Sequence, residues 1–594
     1  MEIRERVKLL RKEMATEGYD AYLITSSDPH QSEYPPARWR SRAWISGFDG
    51  SAGTVVVTAH EAGLWTDSRY FLAAQEAIAG TGFRLFREGD PGVPGYAEWL
   101  QTTLAEGDVL GLDSDTTSLS EYRELIEGLD SKQISVHAGP DLVDRIWRDR
   151  PSLPTEAVFA YEPRFSGQSR GEKLFQIRAR METTGVTAHV LSTLDDIAWT
   201  LNLRGSDVPY NPVFVAHLMV MRERAILFAD ASKFPEDLVT ELGQEDVVIE
   251  PYLNLPSAIA SLETGSVLLY SPDHISVGLS SSVRSEVTRM EAPNPSSLMK
   301  AQKNSIELEN LCRAMLRDGV AMVRFLSWLT ASIELGEVVT ELTAEQQLSA
   351  FRSEGEHFVS ESFRTISAYR GHGAVVHYAA SEESASRLES AGLFLIDSGA
   401  QYLDGTTDIT RTVTLGEPTE EQRREYTLVL KAHVTLATIR FPAGTTGLVL
   451  DAICRQHLWR HGLNYGHGTG HGVGFFLNVH EGPQRLAQRR SMQPLLPGMI
   501  ISNEPGLYRP ERYGIRIENL VVVEEDESNE FGHFYRLRTL TLCPFDRSLI
   551  DQSLLSAQEI DWINAYHRGV RDKLRGSLDP DLSIWLDEAC APLE

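Results

Sequence analysis

Cysteine is scarce in this chain: four residues in 594, Cys312, Cys454, Cys543 and Cys590, widely separated and with no CxxC pair. That excludes a disulfide framework and a thiolate zinc ribbon, and it reads as the reduced, partly buried thiols of a cytosolic protein. No uninterrupted apolar run approaches the roughly 18 residues that a membrane span needs. The opening MEIRERVKLLRKEM is charged and helical in pattern, without the apolar centre of a signal peptide. Basic residues are few beside acidic ones, 56 against 84, and the formal net charge is −28. A surface that grips nucleic-acid phosphates or anionic lipid needs the opposite balance. The chain is therefore expected in the cytoplasm, with no nucleic acid and no membrane as partner. It also lacks a GxSxG elbow, and no cysteine sits in an activating setting, which disfavours serine and cysteine nucleophiles.

What is present is an ordinary globular composition, 42% hydrophobic and 24% charged, long enough for three to four domains of about 150 residues. The first 150 residues alternate an amphipathic helix with buried-strand patterns, DAYLIT, GTVVVT and AGLWTDSRYF. RPSLPTEAVFAYEPRFSGQSR, rich in Pro, Gly and Ser, reads as a linker. A second stretch, 151–297, repeats the style of the first with a helix at GEKLFQIRARMETTG and strands at AHVLST, VFVAHLMVM and RAILFA. Two similar α/β units in tandem are the expectation, despite low residue identity between them. After MEAPNPSSLMKAQKN, the residues Leu308, Leu311, Cys312, Met315, Gly319, Met322, Val323 and Leu326 recur at three-four spacing, predicting a long helix with one apolar stripe. From about residue 360 strands dominate, and this third block, 298–594, holds nearly all the chemically suggestive residues.

Asp397 in LFLIDSGAQY and Asp408 in TTDITRTVTL flank the turn signal LDGT, so the two segments read as a hairpin able to bring their carboxylates face to face. Either aspartate alone would most often be a turn or strand-end residue. NYGHGTGHGVG, Asn464 to Gly474, packs two histidines and five glycines into eleven residues. Glycines there permit backbone shapes closed to other residues and let the chain crowd a site. Glu504 stands at a strand end in SNEPGLY, and Glu518 lies in GIRIENL among Ile515, Ile517 and Leu520. A glutamate in so apolar a strand is costly to ionise unless a cation meets it. Four carboxylates and His471 converging on one point would repel unless they shared positive charge, and two divalent cations solve that. The oxygen-rich donor set favours hard ions such as Mn²⁺, with Zn²⁺ or Co²⁺ as alternatives.

DSGAQY, TTDITRT, YGHGTGHGVG, NVHEGP, SNEPGLY and GIRIEN resemble the metal-site motifs of the pita-bread metallopeptidases. More narrowly, they resemble those of the three-domain Xaa-Pro aminopeptidases, the aminopeptidase P family. GFDGSAGTVVVT, LWTDSRYFLAA and DDIAWTLNLRGSDVPYNPVF extend the likeness through both earlier units, in order. The resemblance implies an α/β (α+β) fold with two creatinase-like N-terminal domains, 1–150 and 151–297, followed by a pita-bread catalytic domain with a C-terminal extension, 298–594. It further implies that Asp397 chelates one metal, that Asp408 and Glu518 bridge the pair, and that His471 and Glu504 complete the second. His377, His467 and His480 match the family's substrate-side histidines, Arg516 its supporting arginine, and Glu504 its proton shuttle. A homodimer is also implied. One departure precedes His377: AYRGHGAVVHY carries Arg370 and His372 where related sequences usually place small or amide residues. His372 reads as an exposed loop histidine, and His357 and His461 as structural or surface residues.

The expected activity is metal-dependent release of the N-terminal residue from peptides with proline in second position, by water activated between two metals. A prolidase, confined to Xaa-Pro dipeptides, is the nearest alternative, disfavoured by the three apparent domains. A non-catalytic pita-bread binding protein is the other, disfavoured because all five metal-ligand positions are present.

Overall fold

The computed structural model describes residues 1–488 and 492–594, and the chain divides into two compact units. The first comprises Met1–Pro163 and Gln168–Ser297; the second comprises Arg164–Gly167 and Leu298–Glu594.

The first unit contains the tandem repetition expected from the sequence. One six-stranded sheet runs, in spatial order, through Arg84–Arg87, Ala62–Thr66, Thr54–Thr58, Ala21–Ile24, Val109–Asp113 and Ser135–Gly139. A second runs through Val247–Glu250, Ala225–Phe228, His217–Met221, Ala188–Leu191, Val267–Tyr270 and Thr288–Glu291. Each sheet has the same sequence of pairings from its middle strand: antiparallel twice and then parallel on one side, parallel throughout on the other. The middle strands AYLI and AHVL are buried on both faces, as continuous apolar runs covered by helices should be. Ser169 opens the helix Arg170–Thr184 with a reciprocal capping box to Glu172, which fixes where the second repeat begins.

In the second unit the long amphipathic pattern forms the helix Ser305–Glu334, capped by Asn304 and Glu307. Leu311, Met315, Met322, Val323 and Leu326 are buried as expected, each contributing about 1.5–3 kcal/mol of burial. Cys312 is exposed, however, and Leu308 half-buried, so the stripe is narrower at its start than the spacing suggested. Gly319 belongs to the stripe because a Cβ there would stand 2.5 Å from the Leu542 carbonyl oxygen.

Two sheets matter for the site. Ile366–Tyr369, Leu393–Ser398 and Ile409–Thr414 form one, in that order. The other contains Arg440–Pro442, Gly532–Thr539, Asn519–Asn529, Ile500–Asn503, Gly470–Gly472 and Glu481–Leu486. A short ribbon, Gly506–Arg509 with Tyr513–Arg516, completes the frame.

Candidate metal centre

Leu393–Ser398 and Ile409–Thr414 pair antiparallel, so the expected hairpin exists, with a difference in register. Asp397 faces Thr410, not Asp408, which precedes the second strand. The chain leaves the hairpin at Gly399, where a Cβ would overlap the Thr407 carbonyl oxygen, and the LDGT turn closes a smaller ribbon in another sheet. Glu504 follows the strand Ile500–Asn503, and its N–H donates to the Thr469 carbonyl at 2.9 Å. Glu518 lies in the break between Tyr513–Arg516 and Asn519–Asn529, not within a strand, and is 1% exposed.

The glycines around His471 serve space more than conformation. None of the five takes a left-handed backbone. Instead, a Cβ at Gly470 would overlap the Ser502 carbonyl, and one at Gly472 would overlap the Glu481 carbonyl. Neighbouring strands can therefore close on His471 from both sides. Its N–H donates to the Ser502 hydroxyl at 2.9 Å, and that hydroxyl donates to Glu504 Oε1 at 3.0 Å.

Asp408, His471 and Glu518 bring one ligand atom each to within 4.8 Å of one another. His471 Nδ1–H donates to the Gly472 carbonyl at 2.8 Å, which leaves the Nε2 lone pair facing Glu504 Oε1 at 3.4 Å and Asp408 Oδ2 at 3.5 Å. A lone pair aimed at two carboxylates is an arrangement that a cation resolves. Two further acceptors, Asp397 Oδ1 and Glu518 Oε1, are buried without a hydrogen-bond partner. Burial, then the Asp397 and Glu504 charges, pushes the Asp408 carboxyl well above the usual range. Burial, then Asp408, Glu504 and Asp397, does the same to Glu518. These residues fit a metal centre by donor type, by unpaired lone pairs and by uncompensated charge.

Around the acids, Arg516 donates through Nη2 to Asp397 Oδ2 at 2.5 Å and through Nη1 to the Tyr508 hydroxyl at 2.6 Å. Tyr508 then donates to His467 Nε2 at 2.7 Å, and His467 Nδ1–H donates to the Gly468 carbonyl at 2.7 Å. His480 packs edge-on against His471, ring centres 4.4 Å apart. His377 is half-buried in the segment after the 3₁₀ turn Arg370–Ala374, beside Val376, whose carbonyl accepts from Arg516 at 3.4 Å.

His372 departs from the expectation of an exposed loop residue. Its Nδ1 lies 2.9 Å from Glu341, its ring stacks on Tyr378 at 4.4 Å, and Glu341 is fully buried. Glu341 also accepts from the Tyr369 and Ser386 N–H groups, both at 2.7 Å, and from Tyr378 at 3.0 Å. One carboxylate thus ties together both sides of the segment that carries His377. His357 packs edge-on against Phe165, and exposed His461 meets Arg424 at 3.2 Å, both in keeping with structural or surface roles. Tyr508 and Glu341 are functional neighbours that no motif in the sequence singles out. Tyr508 had a signal, an aromatic on the strand beginning two residues after Glu504, whereas Glu341 resembles any acid in a helix's first turn.

The sequence profile of metallopeptidase family M24 matches residues 309–525, and that of the C-terminal region of peptidase M24 matches 533–593. Creatinase/prolidase N-terminal domain profiles match 6–146 and 149–307. Aminopeptidase P2 of Arabidopsis thaliana is 40% identical, across 97% of this chain and 86% of its own. A probable Xaa-Pro aminopeptidase P of Laccaria bicolor is 39% identical across 99% and 93%. Among solved structures, the X-prolyl aminopeptidase of Caenorhabditis elegans, a cytosolic enzyme with a di-nuclear active site, superposes with a TM-score of 0.96 at 35% identity, covering 100% of both chains. With relatives of that identity along nearly its full length, and with its acid-rich centre inside the matched peptidase region, the chain belongs to metallopeptidase family M24, in the aminopeptidase P group.

Proposed function

We propose that this chain is a metal-dependent exopeptidase that releases the N-terminal residue from peptides with proline in second position. The observation that carries it is the cluster of Asp408, His471 and Glu518 ligand atoms within 4.8 Å, in a chain similar along its length to Xaa-Pro aminopeptidases. Asp397, Asp408 and Glu518 would hold one divalent ion, and Asp408, His471, Glu504 and Glu518 the other. Oxygen donors predominate, so Mn²⁺ suits the set better than Zn²⁺ or Co²⁺. When bound, such a pair supplies Lewis acidity, making water nucleophilic near neutral pH and polarising the scissile carbonyl.

The chain's own groups do the rest. Glu504, oriented by the Ser502 hydroxyl, takes the proton from the attacking water. Arg516 holds Asp397 and Tyr508 together, fixing the acid's orientation. Because Arg516 donates to Tyr508 oxygen, the Tyr508 proton points to His467, whose remaining proton is on Nδ1. His467 Nε2 is thus an acceptor in this arrangement, and to donate to a substrate carbonyl it must gain a proton on Nε2 and release the Tyr508 hydroxyl. His377 and His480 line the leaving side. The substrate's free ammonium suits the acid-rich centre, which makes the cleavage terminal. Division near residues 150 and 297, a cytoplasmic location and a homodimer complete the reading.

Proline has no N–H and a fixed φ, so a site shaped to its ring gains contacts that alanine cannot give. Two to three buried methylenes are worth about 1.5–2.5 kcal/mol, a preference of about ten- to seventyfold. The test is Mn²⁺-loaded protein on matched Xaa-Pro-Yaa, Xaa-Ala-Yaa and Xaa-Pro. Equal cleavage of the alanine peptide removes the proline site, and faster cleavage of the dipeptide makes the protein a prolidase.

A further inference from the structure

Arg411 is fully buried behind Glu518 and makes six hydrogen bonds, none to a carboxylate. Nη1 donates to the carbonyls of Glu518 at 2.6 Å and Thr410 at 2.9 Å. Nε donates to the Pro544 carbonyl at 3.0 Å, and Nη2 reaches the Cys543 carbonyl at 2.7 Å, Asn519 Oδ1 at 2.8 Å and the Tyr566 hydroxyl at 3.1 Å. One guanidinium thus clamps the two main-chain segments beside the acids to a strap and a helix more than a hundred residues away in sequence.

The helix end of the clamp is equally well defined. Tyr566 lies on Ala557–Leu574, and its hydroxyl donates to the Cys543 carbonyl at 2.8 Å and lies 3.1 Å from that of Thr541. Phe545 stacks on the Tyr566 ring at 4.9 Å, and the Arg411 guanidinium lies over Phe545 at the same separation. Its charge is felt around it: burial first and then the Arg411 charge hold both His433 and His567 down at about 3. A buried charge hydrogen-bonded to neutral dipoles alone is costly, and here it orients the segments it bonds.

What it orients is Glu518. Thr410 donates its hydroxyl to Glu518 Oε2 at 2.7 Å, and the Glu518 N–H returns a bond to the Thr410 carbonyl at 3.1 Å. With both carbonyls pinned by Arg411, the Thr410 hydroxyl and the Glu518 carboxylate have one relative placement, and Glu518 Oε1 is left bare for a ligand. We propose that the C-terminal region is a working part of the metal centre: Arg411 and Tyr566 are positioning residues that hold Glu518 in metal-binding geometry. This rests on the reading of Glu518 as a metal ligand.

The test is calorimetric titration of the full chain, stripped of metal, with Mn²⁺, paired with the metal-free melting temperature. Partners that orient a ligand typically contribute 10–100-fold to metal affinity. Tyr566→Phe, which keeps the ring and loses the hydroxyl, should weaken Mn²⁺ binding by about tenfold, and Arg411→Lys by about 10–100-fold. A purely structural role would lower the metal-free melting temperature and leave Mn²⁺ affinity within twofold of the unaltered protein, which overturns the proposal. Should Arg411→Lys fail to fold, Tyr566→Phe decides alone. Glu518→Gln separates the two readings: if it too binds Mn²⁺ normally, Glu518 is not a ligand. If it loses Mn²⁺ while Tyr566→Phe and Arg411→Lys keep it, the ligand stands and the brace falls.

Discussion

The buried aspartates of the first unit and the four acids gathered at the centre of the second are held in opposite ways. In the first, each buried aspartate has its own donors: Asp28 takes the N–H groups of His30 and Ser32, Asp196 the hydroxyls of Thr193 and Ser297, and Asp207 the Val215 N–H and the Lys233 ammonium. In the second, Asp397, Asp408, Glu504 and Glu518 are mutually coupled, with Arg516 as the one cation bonded to them among the described residues. Acids kept apart, each with donors on one oxygen, stabilise a fold even where the other oxygen is left without a partner. Acids gathered beyond the supply of donors have use only with a cation that arrives from solution, so the imbalance itself locates the chemistry.

The largest effect that bears on this contrast is metal removal. A chelator should reduce Xaa-Pro-Yaa cleavage to background, with Mn²⁺ restoring it best among divalent ions. Activity that survives exhaustive chelation would mean that the gathered acids work without a cation.

Next comes the satisfied pair in the first unit. Asp207→Asn leaves the Lys233 ammonium buried without its carboxylate, a loss of about 3–5 kcal/mol. A urea midpoint unchanged from the unaltered protein would show that the pair is not needed. The corresponding change in the second unit should have the other sign. Without metal, Asp408→Asn removes one of several repelling charges and should stabilise the protein by about 1 kcal/mol. A carboxyl raised on folding binds its proton more tightly in the folded state, so its penalty is absent below the ordinary values of 3.8 and 4.5 and grows as pH rises through the shifted range. The gain from Asp408→Asn should therefore be larger at pH 8 than at pH 5, measured by melting of metal-free protein. A gain that shrinks with rising pH would contradict the shift.

That asymmetry was partly legible from residues alone. The tandem units showed in the repeated buried-strand runs AYLI and AHVL, because a strand covered on both faces writes itself as an apolar run. The four acids and His471 showed because each stands in a motif of local residues. What did not show depends on partners distant in sequence. The Asp397 hairpin breaks at Gly399 because of Thr407, and nothing local marks a backbone approach that close. Arg411 reads as a strand arginine until Pro544, Cys543 and Tyr566 arrive from beyond residue 540. Glu341 and His372 reveal each other through the fold, thirty-one positions apart.

The smallest effect concerns that last pair. His372→Ala removes one of four donor groups on Glu341 and the stack on Tyr378, at a cost of about 1 kcal/mol in stability. Because Tyr378 adjoins His377, kcat/KM for Xaa-Pro-Yaa should fall a fewfold while Mn²⁺ content stays normal. A variant that loses metal would place the pair among the supports of the acids and not of the substrate side.

The metal assignment is tested most directly by elemental analysis of three purified proteins after Mn²⁺ loading: unaltered, Asp408→Asn and His467→Ala. Asp408 is read as shared by both ions and His467 as bound to neither, so the expected contents are about two ions per chain for the unaltered protein and His467→Ala, and at most about one for Asp408→Asn. Equal metal content in the two variants would contradict the account.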